Sequence, residues 1–210
     1  MIHNFYLFII MCIVLIILPG PDTAIATKNT LTIGKNGGLK TVFGTCCALM
    51  IHTTAAVVGL SAIIVKSAMV FSIFKFVGAI YLFYLGVKTL WSLKNNKNLV
   101  ENEILPKNNY QGKSCFKQGF LTNLLNPKVA VFFLTFLPQF VEVNSTTFIP
   151  FLLMGITYTI LTIIWFLFYI SLINQISAFI KRPSINRAME GITGLVLIVF
   201  GLKLAFEKAN

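Results

Sequence analysis

Two short motifs, one in each half of the chain, combine helix-breaking residues with an ionisable side chain. The first motif consists of Pro19, Gly20, Pro21 and Asp22, and the second of Asn123, Asn126, Pro127 and Lys128. Both motifs lie inside long apolar segments, where an acid or a base is costly and therefore marks a candidate functional site. The chemistry open to such a pair is proton transfer and the binding of charged groups.

The first motif predicts a break in a helix, because each proline lacks an N–H group and clashes with the preceding turn. Counting back four residues from each proline, the carbonyls of Leu15 and Ile17 lose their helical partners. Unwound backbone at membrane depth is tolerated only where it is buried in protein or lines a wet cavity. We therefore expect this break to face the interior of a helical bundle. Asp22 is a candidate N-cap of the next helix, and also a candidate to carry a proton or to pair with an ammonium group.

The second motif predicts another break. Asn-Pro is typical of turns and helix caps, so Asn126 is predicted to cap a helix that begins at Pro127, while Asn123 pairs freed backbone groups. Lys128 lies near the middle of its apolar segment, where a lysine costs about 2.5–3.5 kcal/mol on insertion scales unless it snorkels or is paired. It either snorkels to the mouth of an aqueous vestibule or takes part in function, and Asp22 is its most natural partner.

Together the two breaks predict a binding site for a zwitterion. Helix N-termini carry partial positive charge and free N–H groups, which attract a carboxylate. Asp22 offers a counter-charge to an ammonium group. The breaks have similar estimated depth but lie at different distances from the starts of their segments, whereas simple inverted symmetry would predict equal distances.

The other candidate residues are weaker. His52 lies in the middle of an apolar segment and either relays protons or bonds to a neighbouring helix. Cys46 and Cys47 precede it by six and five residues, spacings that turn them away from a shared helix face and argue against a metal site. Glu190 fits a charge at a helix start. The motifs of metalloproteases, serine hydrolases and nucleotide-binding enzymes do not occur, so we expect neither enzymatic activity nor a cofactor.

The composition places these motifs in an all-α membrane protein. Of 210 residues, 57% are hydrophobic and 11% are charged, whereas soluble domains carry about 25% charged residues. Six continuous apolar segments are long enough to cross a bilayer as helices. They cover about residues 4–27, 41–65, 67–91, 118–139, 147–173 and 189–206, and the first and fourth contain the breaks. No Lys or Arg precedes Lys28, so the first segment lacks the charged start of a signal peptide and is predicted to be a retained span.

The distribution of cations predicts the orientation. Most of the 17 Lys and Arg residues lie in the loops after the first, third and fifth segments. The positive-inside rule places these loops in the cytoplasm and both termini outside. The net charge of +11 is therefore a topology signal and not a sign of nucleic-acid binding. A polar cytoplasmic linker, residues 92–117, divides the chain into halves of three spans each, 1–91 and 118–210, which is compatible with a 3+3 inverted repeat.

The motifs resemble those of a known family. Pro19-Gly20-Pro21-Asp22 looks like the first signature of the LysE/RhtB family of amino-acid exporters. The second signature is similar to the stretch from Gly119 to Lys128, followed by Phe132-Phe133 and Leu137-Pro138-Gln139-Phe140; the segments Gly34–Leu39 and Gly78–Gly86 also fit. The resemblance covers nearly the whole chain. It implies a multi-pass exporter of the bacterial inner membrane that is driven by the proton gradient, with homoserine, threonine, leucine and lysine as typical solutes of relatives.

The predicted function is secondary-active export of amino acids or related small zwitterions, coupled to protons. All eight motif residues are expected to contact the solute, and Asp22 and His52 to couple protons. Export of another solute such as a metal cation is the first alternative, although Asp22 is the one clear carboxylate within the apolar segments. A membrane assembly protein or an intramembrane enzyme is the second, and no nucleophile–base pair supports an enzyme. The solute, the coupling ion and the oligomeric state, a homo-oligomer included, stay open.

Overall fold

The computed structural model describes residues 2, 4–60, 68–94, 114–141, 148–173 and 183–206. Within these ranges the regular structure is helical, apart from one isolated bridge between Ile2 and Val141. Long apolar runs favour helices because a helix satisfies its own backbone hydrogen bonds in lipid. The all-α class predicted from the sequence is confirmed.

The described ranges contain eight α-helices. They are α1 (Phe5–Ile17), α2 (Pro21–Ile33), α3 (Lys35–Ala55), α4 (Ala68–Lys94), α5 (Cys115–Leu124), α6 (Pro127–Val131), α7 (Phe148–Ser171) and α8 (Pro183–Phe206). A π-helical turn, Ala56–Leu60, extends α3. Another π-helical turn, Phe132–Phe136, and a 3₁₀ turn, Leu137–Phe140, extend α6.

Helix α2 continues past the expected end of the first span. The sequence placed that end near residue 27, but α2 runs on to Ile33 because no proline or glycine occurs between Asp22 and Gly34. Gly34 then turns the chain with a φ of 88°, a conformation that glycine adopts without steric cost. Helix α3 begins directly after it, so the predicted loop is a single glycine turn.

The length and composition of the described helices give two candidate membrane spans, or up to four if each bent pair of helices is one span. Two segments qualify alone, Lys35–Gly59 and Phe148–Ser171. Two pairs qualify if each is one bent span: α1 with α2, bent by 50°, and α5 with the helix that runs to Phe140, bent by 48°. The bends lie at the two predicted breaks, which are confirmed. The six-span count and the 3+3 repeat stay predictions, and residues 95–113 of the predicted linker lie outside the described residues.

Glycines set the closest helix crossings. Helix α3 packs against α2, α5 and α7, and α4 packs against α8. A Cβ atom on Gly44 of α3 or Gly119 of α5 would collide with backbone atoms of the facing helix. A Cβ atom on Gly86 of α4 would collide with backbone atoms of α8, and one on Gly194 of α8 would collide with the Leu90 side chain of α4. Small residues at such crossings let the backbones of membrane helices come close together.

Two groups of buried side chains form the core around the site. The aromatic cluster is centred on Phe8, Phe132, Phe133, Phe136, Phe140 and Tyr158. The Tyr169 cluster consists of Ala26, Val42, Cys46, Phe166, Tyr169, Ile170 and Ile173. Residues of both clusters contribute to the wall of the cavity between the two helix breaks.

Candidate functional site

The two helix breaks meet at the carboxylate of Asp22. Pro21 occupies the start of α2 and Asp22 lies in its first turn. Asp22 Oδ2 accepts hydrogen bonds from Asn123 Nδ2 and from Asn126 Nδ2, each at 3.1 Å. One carboxylate oxygen therefore joins the break in the first half of the chain to the break in the second.

Asn126 is a helix cap, but Asp22 is not. Asn126 Oδ1 accepts a hydrogen bond from the backbone N–H of Lys128 at 3.1 Å, as predicted. At α2 the N-cap is Gly20, and no side chain caps the helix. The predicted cap at Asp22 is wrong because Pro21, whose fixed φ suits the first helical position, starts the helix two residues earlier than a cap at Asp22 would. The Asp22 carboxylate is therefore free to accept hydrogen bonds from the second break.

Lys128 pairs the backbone group that the first break releases. Its Nζ donates a hydrogen bond to the carbonyl oxygen of Leu15 at 3.3 Å. Leu15 lies four residues before Pro19, so its carbonyl has no helical N–H partner. The ammonium group also lies against Gly20, where a Cβ atom would be 3.3 Å from Nζ. A lysine at membrane depth and an orphaned carbonyl thus satisfy each other.

Asp22 and Lys128 face the same cavity without hydrogen-bonding each other. Both residues line the cavity, and their charges interact electrostatically. The hydrogen bonds of Asp22 go to two amides, and that of Lys128 goes to a carbonyl. The predicted pairing is therefore electrostatic, which keeps one acid and one base within reach of a bound solute.

The cavity is small. Its volume is about 20 Å³, comparable to the space that a single water molecule needs. Asp22, Asn123 and Lys128 form its polar wall, and the apolar wall includes Leu49 and Phe166. A larger solute can occupy it only after the surrounding helices move apart.

Two oxygen atoms at this site lack a hydrogen-bond partner. They are Asp22 Oδ1 and Asn123 Oδ1, both buried. Asn123 as a whole is only 2% exposed, so bulk water does not reach it. Leaving a buried acceptor unpaired costs about 1–3 kcal/mol. An unpaired polar group in a folded protein points to stored strain, to an ordered water molecule or to a ligand.

His52 contacts the backbone next to the second helix break but does not line the cavity. Its Nε2 is 3.3 Å from the backbone carbonyl oxygen of Asn123, so this nitrogen is the donor in the contact. The ring packs against Phe133, with centroids 5.7 Å apart. Within the described ranges, His52 does not join Cys46 and Cys47, and no three potential metal ligands gather. The bond to a neighbouring helix is the alternative to proton relay that the sequence left open.

Helices α3 and α7 supply cavity residues that the sequence analysis missed. They are Thr45 and Leu49 from α3, and Tyr158, Thr162 and Phe166 from α7. The three residues of α7 recur every fourth position, which places them on one helix face. A tyrosine and a threonine four residues apart were the available signal, but α7 contains several other hydroxyl side chains, so this pair does not stand out.

A hydrogen bond joins α2 to α7 on one side of the cavity. Thr27 Oγ1 and the Tyr169 hydroxyl are 2.7 Å apart. The Thr27 hydroxyl donates to the carbonyl of Thr23 at 2.7 Å, so the Tyr169 hydroxyl is the donor to Thr27. We call this contact the Thr27–Tyr169 latch. It lies within the Tyr169 cluster, whose Phe166 is also part of the cavity wall.

Comparison with known proteins covers nearly the whole chain. A family described as LysE type translocator matches residues 13–208. An uncharacterized membrane protein of Bacillus subtilis, YrhP, is 33% identical over 206 residues, which are 96% of this chain and 98% of the relative. An uncharacterized membrane protein of Vibrio cholerae is 27% identical over 208 residues, 99% of each chain. The leucine efflux protein of Salmonella typhimurium is 26% identical over 209 residues, 96% of this chain and 94% of the relative. No solved structure matches.

The matched region contains both helix breaks, the cavity between them and all the described helices except the first turns of α1. The relatives are matched over almost their full lengths. The chain therefore belongs to the family of LysE type translocators, a family of multi-pass membrane transporters.

Proposed function

We propose that the protein exports amino acids or related small zwitterions by secondary active transport. The observation that carries this proposal is that Asp22 and Lys128, one acid and one base, line one small cavity where two interrupted helices meet. A buried charge is costly unless it is paired. A site with one charge of each sign therefore favours a solute that also carries one of each, as an α-amino acid does at neutral pH.

The names of relatives support the same class of solute. The leucine efflux protein of Salmonella typhimurium is similar to this chain over almost its full length. At 26% identity the similarity supports export of an amino acid without selecting which one. The solute is therefore left to experiment.

In the proposed bound state, Asp22 binds the ammonium group of the solute and Lys128 binds its carboxylate. Asn123 and Asn126 hold the Asp22 carboxylate in place through the hydrogen bonds to its Oδ2. The other motif residues, Pro19, Gly20, Pro21 and Pro127, shape the unwound backbone around the solute. Helix α6 is regular for only five residues, so the carboxylate role falls to the Lys128 side chain and not to the start of that helix.

We propose that protons drive the export. Asp22 carries a proton when the solute is absent, and His52, bonded to the backbone of Asn123, is the second candidate for proton coupling. Membership of the family suggests that the protein lies in the bacterial inner membrane. The distribution of cations predicts that its lysine-rich loops are in the cytoplasm and both termini outside. Because the cavity is small, each transport cycle requires it to widen around the solute and to open to one face at a time.

Counterflow in proteoliposomes tests the proposal. Vesicles loaded with an unlabelled amino acid are diluted into the labelled one, for each member of a panel, with and without a pH gradient. We expect labelled uptake for at least one neutral amino acid, and a pH gradient to drive its net movement. Absence of flux for the whole panel would contradict amino-acid export. Cells that gain tolerance to a divalent cation, with no amino-acid flux, would support the metal alternative instead.

The variant Asp22→Asn tests the role of the acid, because it keeps the size of the side chain and removes the charge; Lys117→Gln is its control. We expect Asp22→Asn to insert at the wild-type amount and to lose net pH-driven transport. Lys117 is exposed on α5, away from the cavity. Lys117→Gln should therefore transport like the wild type, which separates loss of the site from loss of any charge.

A further inference from the structure

The two unpaired oxygens belong to side chains that already hydrogen-bond each other. Asn123 Nδ2 donates to Asp22 Oδ2 at 3.1 Å. The free atoms, Asp22 Oδ1 and Asn123 Oδ1, are the second atoms of the same carboxylate and the same amide. Each free oxygen is bonded to the same carbon as an atom of the hydrogen-bonded pair. The carboxylate and the amide are thus joined through one atom each, and each keeps one buried oxygen without a donor.

A proton can bridge these two oxygens when the planes of the carboxyl group and the amide align. With a proton on Oδ1, the Asp22 carboxyl group gains the donor that Asn123 Oδ1 lacks. The carboxylic acid and the amide then form a ring with two hydrogen bonds, N–H to O and O–H to O. Both unpaired atoms are satisfied in one step, which removes the cost that each carries in the present arrangement.

An ammonium group can occupy the same space when the proton is gone. A primary ammonium has three N–H donors and no acceptor, which suits two acceptors that both lack a donor. The neighbouring amide offers no such place, because Asn126 Nδ2 donates to Asp22 and Asn126 Oδ1 accepts from Lys128. The vacancy for a donor is therefore specific to the Asp22–Asn123 pair.

We propose that Asp22 Oδ1 and Asn123 Oδ1 form one seat that holds either a proton or the ammonium group of the solute, but never both. This inference rests on the proposed function and specifies how its proton coupling arises. Competition for one seat converts solute binding into proton release without any separate relay. It also assigns to Asn123 a direct role as a solute ligand.

The other charged and titratable groups near the seat come from four helices. Lys128 of α6 interacts electrostatically with Asp22 but donates its hydrogen bond to Leu15. Tyr158 of α7 also interacts with Asp22, and with Cys12 of α1. His52 of α3 contacts the backbone oxygen of Asn123 and not its side chain. Their hydrogen bonds therefore leave the seat itself to an incoming proton or ammonium.

The cycle balances one proton against one solute. On the side where the solute enters, the O–H bond of Asp22 breaks and its proton passes to water, while the ammonium group, which keeps its three hydrogens, takes the seat. On the opposite side the ammonium leaves and Asp22 takes a proton from that solution. Each turn therefore moves one solute out and one proton in, provided that the empty, deprotonated form does not reopen.

The seat predicts a chemical selectivity. An α-amino acid with a primary ammonium donates to both oxygens, whereas its N-trimethylated derivative has no N–H donor. The derivative keeps the positive charge, the carboxylate and the side chain. Recognition by charge alone would accept both compounds, and recognition by the seat accepts only the first.

Proton release on binding provides the main test. The purified protein in nanodiscs is mixed, in weak buffer with a pH indicator, with the amino acid that gives the largest counterflow, over a range of pH. We expect release to approach one proton per bound solute at acidic pH, no release from Asp22→Asn, and neither binding nor release with the N-trimethyl derivative. Binding without proton release at every pH, or equal binding of the derivative, would overturn the seat while leaving amino-acid export intact.

Infrared spectroscopy tests the seat without any solute. The carbonyl stretch of a protonated carboxyl group, assigned by its loss in Asp22→Asn, reports the hydrogen bonds of Asp22. Asn123→Ser and Asn126→Ser each remove one N–H donor to Asp22 Oδ2, but only Asn123→Ser removes the seat. We expect a clearly larger band shift for Asn123→Ser than for Asn126→Ser. Equal band shifts would overturn the shared site for proton and ammonium, whether or not an amino acid is transported. Absence of amino-acid transport would instead contradict the proposed function and leave this test of the site unaffected.

Discussion

The ammonium group of Lys128 hydrogen-bonds the backbone carbonyl of Leu15, 3.3 Å away, although the two residues are 113 positions apart in the chain. The carbonyl is free because Pro19 cannot donate to it. The lysine needs a partner because a charge is costly at membrane depth. Lys128 of the second break thus bonds the first break, and Asp22 of the first break accepts hydrogen bonds from the second.

Replacing Lys128 with methionine should destabilise the protein. The substitution keeps most of the side-chain volume but leaves Leu15 O unpaired, which costs about 1–3 kcal/mol for a buried acceptor. We expect a lower midpoint of thermal unfolding in detergent than for Lys117→Met, because Lys117 is exposed. Lys128→Arg keeps a donor and should lose less. A Lys128→Met protein that melts at the wild-type temperature would show that the contact does not stabilise the fold.

The cap of α6 can be separated from the Asp22 contact by two substitutions of one residue. Asn126→Ala and Asn126→Ser both remove the N–H donor to Asp22, but serine keeps an oxygen that can cap the helix. Loss of an N-cap costs about 0.5–2 kcal/mol. We therefore expect Asn126→Ala to unfold at lower denaturant concentration than Asn126→Ser. Identical midpoints would indicate that the cap adds nothing beyond the contact with Asp22.

The crossing of α3 and α5 should not tolerate a methyl group. A Cβ on Gly119 would collide with the carbonyl of Thr41, and one on Gly44 with the carbonyl of Phe116. Overpacking of this kind costs about 1–3 kcal/mol, occasionally more. Gly119→Ala should lower the yield of folded protein, measured by fluorescence-detected size-exclusion chromatography. Gly59→Ala is the control, because a Cβ there meets nothing within 4 Å, and an equal loss of yield in both would refute the steric explanation.

Removing the Tyr169 hydroxyl should loosen the bundle beside the cavity. Tyr169→Phe deletes the 2.7 Å hydrogen bond to Thr27, a contact worth about 0.5–1.5 kcal/mol. Cys46 is a buried member of the same cluster, at 9% exposure. We expect its modification by a small, membrane-permeant maleimide to become several-fold faster. Tyr84→Phe, at a residue that is 55% exposed on α4, should leave the rate unchanged.

An unchanged rate for Cys46 in Tyr169→Phe would show that the latch does not control access to this side of the cavity. Mass spectrometry of the peptide that carries Cys46 and Cys47 must separate the two sites, since the residues are adjacent. Cys47 is less buried and serves as the internal reference for reagent concentration.

The local sequence determined where the helices break and what the broken ends contain. Proline removes a donor and fixes φ wherever it occurs, so the bends at residues 18–20 and 125–126 follow from neighbouring residues alone. The cap at Asn126 is local as well, since the side chain bonds a backbone group two positions away. The continuous apolar runs determined the helical class for the same reason, because in lipid a chain must satisfy its own backbone.

Tertiary structure decided which groups meet. The hydrogen bonds of Asp22 to Asn123 and Asn126 span 101 and 104 positions, and no periodicity within a helix encodes such a pairing. The same holds for the cavity residues of α7, which look like any other residues of an apolar helix until α7 packs against α3. Hydrogen bonding between distant side chains depends on how the helices are rotated and how closely they cross. Gly119 allows a close crossing, but the sequence does not say which helix it faces.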